Sequence, residues 1–525
     1  MIDEGSEIND VGGNGTCNQI CTHCDCTGNT DALSVVQQTS EVEAETEEDH
    51  QVPPCSILKS HEKYFLVILL SLSGMLATSS SSIYFPALPI LAKKFGVSDG
   101  VVNLSVVGYL LFQGLGPSFI ASLADTYGRR PCLIACLLTY TIVCIGLSRT
   151  NTFWLLAVLR CFQAALLSPS LNISAGVIGD MCPPSERGGF IGILMGIQLV
   201  GQGFGALVGA EVISKFGWRG IFVCLAIGSG TVLLFAAILM PESNRKLVGN
   251  LSIPPKRLIN CSPIVHFEFM KKRMNNDIST LSDRTPLDMF LPYKILFTRR
   301  VFFILLPVAL QFTTWTMSLT TLSTSLESKY GFSIMQIGLC YLSPGLGVLT
   351  GSLVTGRLLD YIFARKQKAY DKDYGDMEKS QRPTFDILKT RIQFAFYPSC
   401  LLILSTIAFG WCLQYRIHLA PILISSFIIS FCSISFISAI NTLLVDLFPG
   451  QSTAATSCLV LLRCVLGAAG VGALQSMVDR MGVGGCYTLM AGLCLISAGE
   501  LLRVMTRPRE QAKEEEISIN SYAAC

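Results

Sequence analysis

Charge is scarce in this 525-residue chain: Asp, Glu, Lys and Arg make up 14% of it, against roughly 25% in soluble domains. Beside 50% hydrophobic residues, that deficit excludes an ordinary soluble enzyme. Period-two alternation is lacking as well; the apolar residues fall in long blocks, which excludes a β-barrel of the outer-membrane type. Residues 1–57 contain no Lys or Arg and twelve Asp or Glu, so a net charge of +2 for the whole chain leaves +14 on the remainder. The N-terminus has neither a basic n-region nor an apolar h-region, so a cleaved secretory signal is not expected. No disulfide framework is expected from the 21 cysteines either. Cys132, Cys136, Cys144, Cys161, Cys340 and Cys432 fall inside apolar blocks, where Cys serves as a small buried hydrophobe.

What remains is an all-α polytopic membrane protein. A span takes about 20 mostly apolar residues, and twelve transmembrane helices fit: 64–88, 101–123, 131–149, 152–178, 188–212 and 218–240, then 301–325, 334–358, 392–414, 418–443, 453–476 and 483–505. Eleven Lys or Arg from Arg245 to Arg300, and eight from Arg365 to Arg391, assign those segments and both termini to the cytosol. The expected organisation is a disordered acidic, Cys-containing cytosolic tail (1–57), a six-helix bundle (58–240), a basic cytosolic central loop (241–300), a second six-helix bundle (301–505) and a cytosolic C-terminal tail (506–525). Ala121-Ser-Leu-Ala-Asp125 closes span two, and Gly356-Arg-Leu-Leu-Asp360 closes span eight. Matching signatures in two halves are what duplicated transporter bundles show, with a substrate site near the midplane between them.

Carboxylates are missing from the midplane. Asp125, Asp180, Asp360, Asp446 and Glu500 fall at cytosolic span ends, and Glu211 and Glu327 near the outside; only Arg160 and Arg463 lie well inside. A charge in the bilayer costs roughly 2.5 kcal/mol or more, so each arginine is a functional candidate. The pair fits an anionic substrate, because a guanidinium grips carboxylates bidentately and keeps its charge; hydrogen bonding to backbone carbonyls or polar neighbours is the other reading. For the proton coupling that the family resemblance given below implies, the end carboxylates Asp125 and Asp180 are the best placed, with Arg160 modulating them. Polar pairs sharing a helix face supply the rest of a substrate site: Arg160 with Gln163, Gln198 with Gln202, and Gln311 with Trp315, joined by Tyr109, Gln113 and Tyr341. Ser79–Ser82 in span one lines water or satisfies its own backbone.

In Leu123-Ala-Asp-Thr-Tyr-Gly-Arg-Arg-Pro131, Asp125 is spaced to pair with Arg129, while Arg129 and Arg130 fall at the headgroups. Asp180, ending span four, is placed to reach Arg129, which makes a latch between helices that part during alternating access. This segment resembles the G-x-L-A-D-x-x-G-R-R/K loop of the major facilitator superfamily, with Ala121 in place of the first glycine. Leu159-Arg160-Cys-Phe-Gln163 resembles the L-R-x-x-Q motif of its drug:proton antiporters with twelve spans. Gly201-Gln-Gly-Phe-Gly205-Ala-Leu-Val-Gly209-Ala resembles their G-x-x-x-G-P-x-x-G-G motif, with Ala206 for Pro and Ala210 for the last Gly.

Ile83-Tyr-Phe-Pro-Ala-Leu-Pro89, Gly217-Trp-Arg-Gly-Ile-Phe222, Pro241-Glu-Ser, Val248-Gly-Asn-Leu-Ser-Ile-Pro-Pro255, Ser343-Pro-Gly-Leu-Gly347 and Leu462-Arg-Cys-Val-Leu-Gly467 are similar to the fungal quinidine-resistance group and to related dityrosine and organic-acid exporters. Span eleven departs from that group, with Leu459-Val460 where an Asn pair is usual. The resemblance implies a major facilitator fold and a plasma-membrane exporter of drugs or small organic metabolites, driven by proton antiport through alternating access. Export of organic acids is the alternative and a transporter-like nutrient sensor a remote one. Gly201, Gly205 and Gly209 form a small-residue face for close helix packing; the resemblance adds that this interface closes the outward side.

No enzyme, cofactor or metal site is expected. Nothing outside the spans combines a nucleophile, a base and an orienting group, or forms a phosphate-binding loop. Cys17, Cys21, Cys24, Cys26 and His23 are dense enough for a soft metal, but their spacing fits no standard zinc finger; S-acylated or incidental cysteines are the other readings. The basic central loop is expected to meet anionic lipid rather than nucleic acid. Expected partners are a small-molecule substrate, protons and membrane lipid, with the chain a monomer.

Overall fold

The computed structural model describes residues 56–182, 184–255, 258–263, 274, 290–374, 387–447 and 452–506. The acidic tail with its cysteines, the C-terminal tail and much of the central loop lie outside the described residues. Hydrocarbon offers no hydrogen-bond partner to a bare amide, so an apolar block of this length closes its bonds internally as a helix. Among the described residues every regular element is helical.

Among the described residues, eleven helical segments are long and apolar enough to cross a membrane: Ser60–Phe95, Asp99–Tyr127, Arg129–Ser148, Phe153–Met181, Gly189–Phe216, Trp218–Leu239, Val301–Tyr330, Ile334–Tyr370, Phe396–Gln414, Leu419–Val445 and Ala454–Gly499. The last has 46 residues, about 69 Å at 1.5 Å per residue, twice the roughly 30 Å of a bilayer core. Gly482, with φ 71° and ψ 170°, breaks it into two helices, the arrangement expected of spans eleven and twelve. Because successive spans alternate in direction, the connections around 96–98, 149–152, 217, 331–333, 415–418 and 482 fall on one face, and the opposite face carries the one-residue turn at Gly128, the turn after Met181 and the connections after Leu239, Tyr374 and Leu447, the longest of all among them. These are termed the short-turn and long-loop faces.

The structure departs from the expected boundaries where hydropathy carries no backbone information. Span one was expected to run to 88, but its helix stops at Ser82. Pro86 and Pro89 remove amide hydrogens, and the chain passes through a 3-10 turn, Phe85–Ala87, into a short helix, Leu88–Phe95. Span eight continues to Tyr374, sixteen residues beyond the expected end at 358, because Arg365, Lys366 and Lys368 leave the membrane without breaking a helix. The start of the central loop is packed rather than free: Val248 and Leu251 are buried, and the Ile57 amide donates to the Asn250 carbonyl at 3.2 Å.

Contacts between spans one to six and spans seven to twelve set the closure. Backbone meets backbone at Gly203 of span five and Gly345 of span eight, and Ala210 seats against Gly338 nearer the short-turn face. There Lys93 pairs with Glu327, Ser323 donates to the Phe85 carbonyl at 2.8 Å, and Phe85 stacks on Tyr341 at 6.0 Å. Asn172 donates to Ser457 at 3.1 Å, joining spans four and eleven.

Span seven, Arg299–Tyr330, is rich in buried hydroxyls: Thr313, Thr314, Thr316, Ser318, Thr320, Thr321, Ser323 and Ser325. Many bond back to their own helix, Thr313 to Ala309, Thr314 to Leu310, Thr316 to Phe312 and Thr320 to Thr316, at 2.7–3.0 Å.

Candidate functional site

Arg160 sits in an aromatic sandwich. Its guanidinium carbon lies 4.0 Å from the ring centre of Tyr84 and 4.2 Å from that of Tyr109; such desolvated cation–π contacts are worth about 2 kcal/mol each. Nη1 donates to Gln163 Oε1 at 2.6 Å and to the Ser80 carbonyl at 3.2 Å. Gln163 passes the chain on, donating to Cys144 Sγ at 3.2 Å. The expected pairing of Arg160 with Gln163 is present, but the arginine is only 1% exposed; Nη1 serves its own protein, while Nε has no hydrogen-bond partner. Tyr84, placed by the span-one turn, is the partner that helical spacing does not reveal.

The second half has its own cluster. Gln311 Nε2 donates to Ser399 at 2.7 Å, and Trp315 Nε1 to Ser430 at 2.9 Å. Both hydroxyls come from spans more than eighty residues away, so sequence spacing predicts the shared face of Gln311 and Trp315 but not what it meets. Arg463 lies 4.9 Å over Phe312, which is edge-on to Trp315 at 5.8 Å. Arg463 is half-buried, and its Nε has no hydrogen-bond partner; the Gln311 Oε1 is likewise unpartnered.

Span two approaches span eleven between these clusters. Cys464 Sγ donates to Gln113 Oε1 at 4.0 Å, and Gly114 packs against Cys464 and Leu461. Gln198 packs against Gly74 of span one, its backbone carbonyl accepting from Thr78 at 2.6 Å while its Nε2 is unpartnered. Gln202 is half-buried on the same span. Tyr341 is set apart from this group: it is buried, its hydroxyl donates to the Leu319 carbonyl, and it stacks on Phe85.

At the long-loop face Arg129 bridges two carboxylates, with Asp125 at 2.5 Å and Asp180 at 3.3 Å. Gly176 leaves room for the guanidinium, since a Cβ there would stand 2.8 Å from Arg129 Cζ. Every one of these groups belongs to spans two to four. Arg130 does not anchor at headgroups as expected: it is 6% exposed and caps span six, donating to the carbonyls of Ala237, Met240 and Ile259 at 2.7–2.8 Å.

Glu242, which sequence spacing leaves without a role, organises this end. Its carboxylate accepts the backbone amides of Arg129 at 2.8 Å, Ser243 at 3.0 Å, Asn244 at 3.1 Å and Arg130 at 3.3 Å. A negative charge at the start of span three also complements the helix dipole. Burial pushes the carboxyl above the ordinary glutamate range, and the amides draw it part of the way back. The contact requires Gly128, whose φ is 119° and where a Cβ would stand 2.3 Å from Glu242 Oε2. Gly128→Ala is therefore expected to cost about 1–3 kcal/mol, read as a lower melting temperature of the purified protein.

The glycine face of span five packs within the first half: a Cβ at Gly201 would meet the Met75 carbonyl at 2.4 Å, at Gly205 the Ser82 hydroxyl at 2.1 Å, and at Gly209 the Ile83 carbonyl at 2.4 Å. The packing reading fits these three. Gly203, on another side of the helix, is the one that meets the second half.

The sequence profile of the Major Facilitator Superfamily matches residues 70–370. The MFS antiporter QDR2 of Candida albicans is 44% identical to this chain, over 90% of it and 94% of that protein. Citrate exporter 1 of Aspergillus niger is 30% identical, over 89% of each. The crystal structure of a D-xylose-proton symporter is similar in fold, with a TM-score of 0.60 at 14% identity, covering 83% of this chain and 97% of that one. Profile, relatives and helical architecture agree: the chain belongs to the Major Facilitator Superfamily.

Proposed function

We propose that this multi-pass membrane protein is a secondary active transporter of the plasma membrane, with both termini cytosolic, that exports drugs or small organic metabolites by proton antiport through alternating access. The observation that carries this is the pair of polar–aromatic clusters, one in each half, around Arg160 and around Arg463, with spans two and eleven in contact between them. The relative QDR2, an antiporter by name, supports the exchange mechanism. Gln113, Gln198, Gln202, Gln311 and Arg463 are the groups proposed to meet substrate. Arg160, Gln163, Tyr109 and Trp315 hold that surface in shape, Tyr341 serves the closure at the short-turn face through Phe85, and Asp125, Arg129 and Asp180 gate the long-loop face.

A second reading, export of organic acids, is favoured by Arg463: a half-buried guanidinium with an unpartnered Nε suits a carboxylate, and one relative is a citrate exporter by name. Substrate charge decides the energetics. One charge crossing 100 mV is worth about 2.3 kcal/mol, roughly a 50-fold gradient, which drives an anion out of a negative interior and opposes a cation.

The test is efflux of labelled organic anions and of cationic drugs from cells overexpressing the chain, with and without a proton uncoupler. Uncoupler-sensitive drug efflux supports antiport; uncoupler-insensitive anion efflux supports the second reading; transport of neither class overturns both. Arg463→Ala is expected to lower flux about tenfold at normal abundance, the loss of one charge-assisted contact. Arg160→Ala is expected to lower abundance instead, because it empties a buried aromatic sandwich.

A further inference from the structure

A cavity of about 510 Å³ lies between spans eight, nine and ten, with none of the cluster side chains around Arg160 or Arg463 in its lining. Val354, Leu358 and Ile362 line it at helical spacing along span eight, facing Leu401 of span nine and Phe431 of span ten. It opens outward, since Val354, Leu358 and Leu401 are 39–48% exposed; on a membrane-spanning bundle such surface faces lipid. Pro398 lines the span-nine wall, where its ring removes a helical hydrogen bond and loosens the helix. The long-loop end is polar: Lys366 continues the span-eight stripe by one more turn and donates to Gln393 across the groove. Arg365 and Lys368 are exposed beside it.

From Val354 to Lys366 the groove runs about 18 Å along the helix, close to the depth of one leaflet of a roughly 30 Å core. Apolar walls of acyl-chain length, an opening toward lipid, and a cation at the headgroup level are the two ends of one amphiphile. We propose that this groove is a binding site for an anionic phospholipid of the long-loop leaflet, one acyl chain lying along span eight and the phosphate headgroup at Lys366 and Gln393. Basic pockets between helices hold anionic headgroups by the same charge complementarity. A site of this kind would couple lipid composition to the second half of the protein, since its walls Pro398 and Phe431 adjoin Ser399 and Ser430, which hold Gln311 and Trp315.

The experiment uses the purified full chain in detergent, titrated with dioleoylphosphatidylserine or dioleoylphosphatidylcholine, with retained lipid counted by native mass spectrometry. Wild type is expected to retain phosphatidylserine about fivefold better than phosphatidylcholine, the effect of one basic group near a headgroup. Lys366→Gln should abolish that preference while a chain still binds. Leu358→Trp should abolish retention of both lipids, and Leu401→Trp should do the same from the other wall, so that a folding defect in either one does not decide the result. Lys372→Gln should change nothing. Equal retention of the two lipids by wild type, a preference that survives Lys366→Gln, or full retention in both tryptophan variants would each overturn the proposal.

Discussion

Replacing Gly345 by valine is expected to reduce transport to about a tenth of wild type or less while leaving the protein folded and inserted. A Cβ at Gly345 would stand 2.1 Å from the Gly203 carbonyl oxygen and 2.8 Å from its carbon. The obstacle is backbone, so no rotamer change relieves it; spans five and eight must separate, and with them the two halves. Overpacking of this kind costs about 1–3 kcal/mol, and 1.4 kcal/mol shifts a two-state population tenfold. The conformation closed at the short-turn face becomes the rarer one, and the cycle stalls. The check is efflux together with thiol labelling of a cysteine introduced near Gly338, which should react faster in the variant. Gly203→Ala should be milder, because its Cβ would lie 3.0 Å from the Gly345 carbonyl oxygen. Gly205→Val supplies the contrast: its clash, with Ser82, lies inside the first half, so it should lower the amount of folded protein. Unchanged efflux in Gly345→Val would show that the crossing does not tighten during the cycle.

Glu242→Ala is expected to be the most destabilising single change outside the spans. It strips one acceptor from four amides, those of Arg129, Arg130, Ser243 and Asn244, in a place where Glu242 itself is 2% exposed. Each buried donor left unpaired costs about 1–3 kcal/mol; the sum is less than additive because water enters the space. A fall of about 5 °C or more in melting temperature follows. Glu242→Gln should fall between the two, since its amide oxygen still accepts while the charge is gone. Both are read by thermal melts monitored through size-exclusion chromatography. Wild-type melting of Glu242→Ala would mean that water or the Asn244 side chain, already bonded to the Asp125 carbonyl at 2.8 Å, takes over the amides.

The membrane architecture was legible because a bilayer imposes one length and one polarity on every crossing segment, and both are written locally in the chain. Helix ends were less so. The bilayer decides where apolar residues stop, whereas proline chemistry ended span one at Ser82 and nothing ended span eight at 358. Within the site, contacts along one helix were readable: Arg160 with Gln163, and Asp125 with Arg129, follow from spacing of three and four. Ser399, Ser430, Tyr84 and Gly345 were not, since each reaches its partner from a distant span and its position depends on how whole helices pack. Glu242 was hidden for a different reason: its partners are backbone amides, which leave no mark on residue identity.

Span seven carries many of its hydrogen-bond acceptors within itself. A hydroxyl bonded to a neighbouring helix is stripped when the helices part in hydrocarbon, at a cost of several kcal/mol, whereas Thr313, Thr314, Thr316 and Thr320, bonded four residues back, travel with their partners. The same back-bonding weakens the helix ladder and favours bending. Motion of this helix therefore spares these four hydroxyls, and its bond-breaking cost is concentrated at the few cross-span bonds, those of Gln311 to Ser399, Trp315 to Ser430 and Ser323 to Phe85 among them.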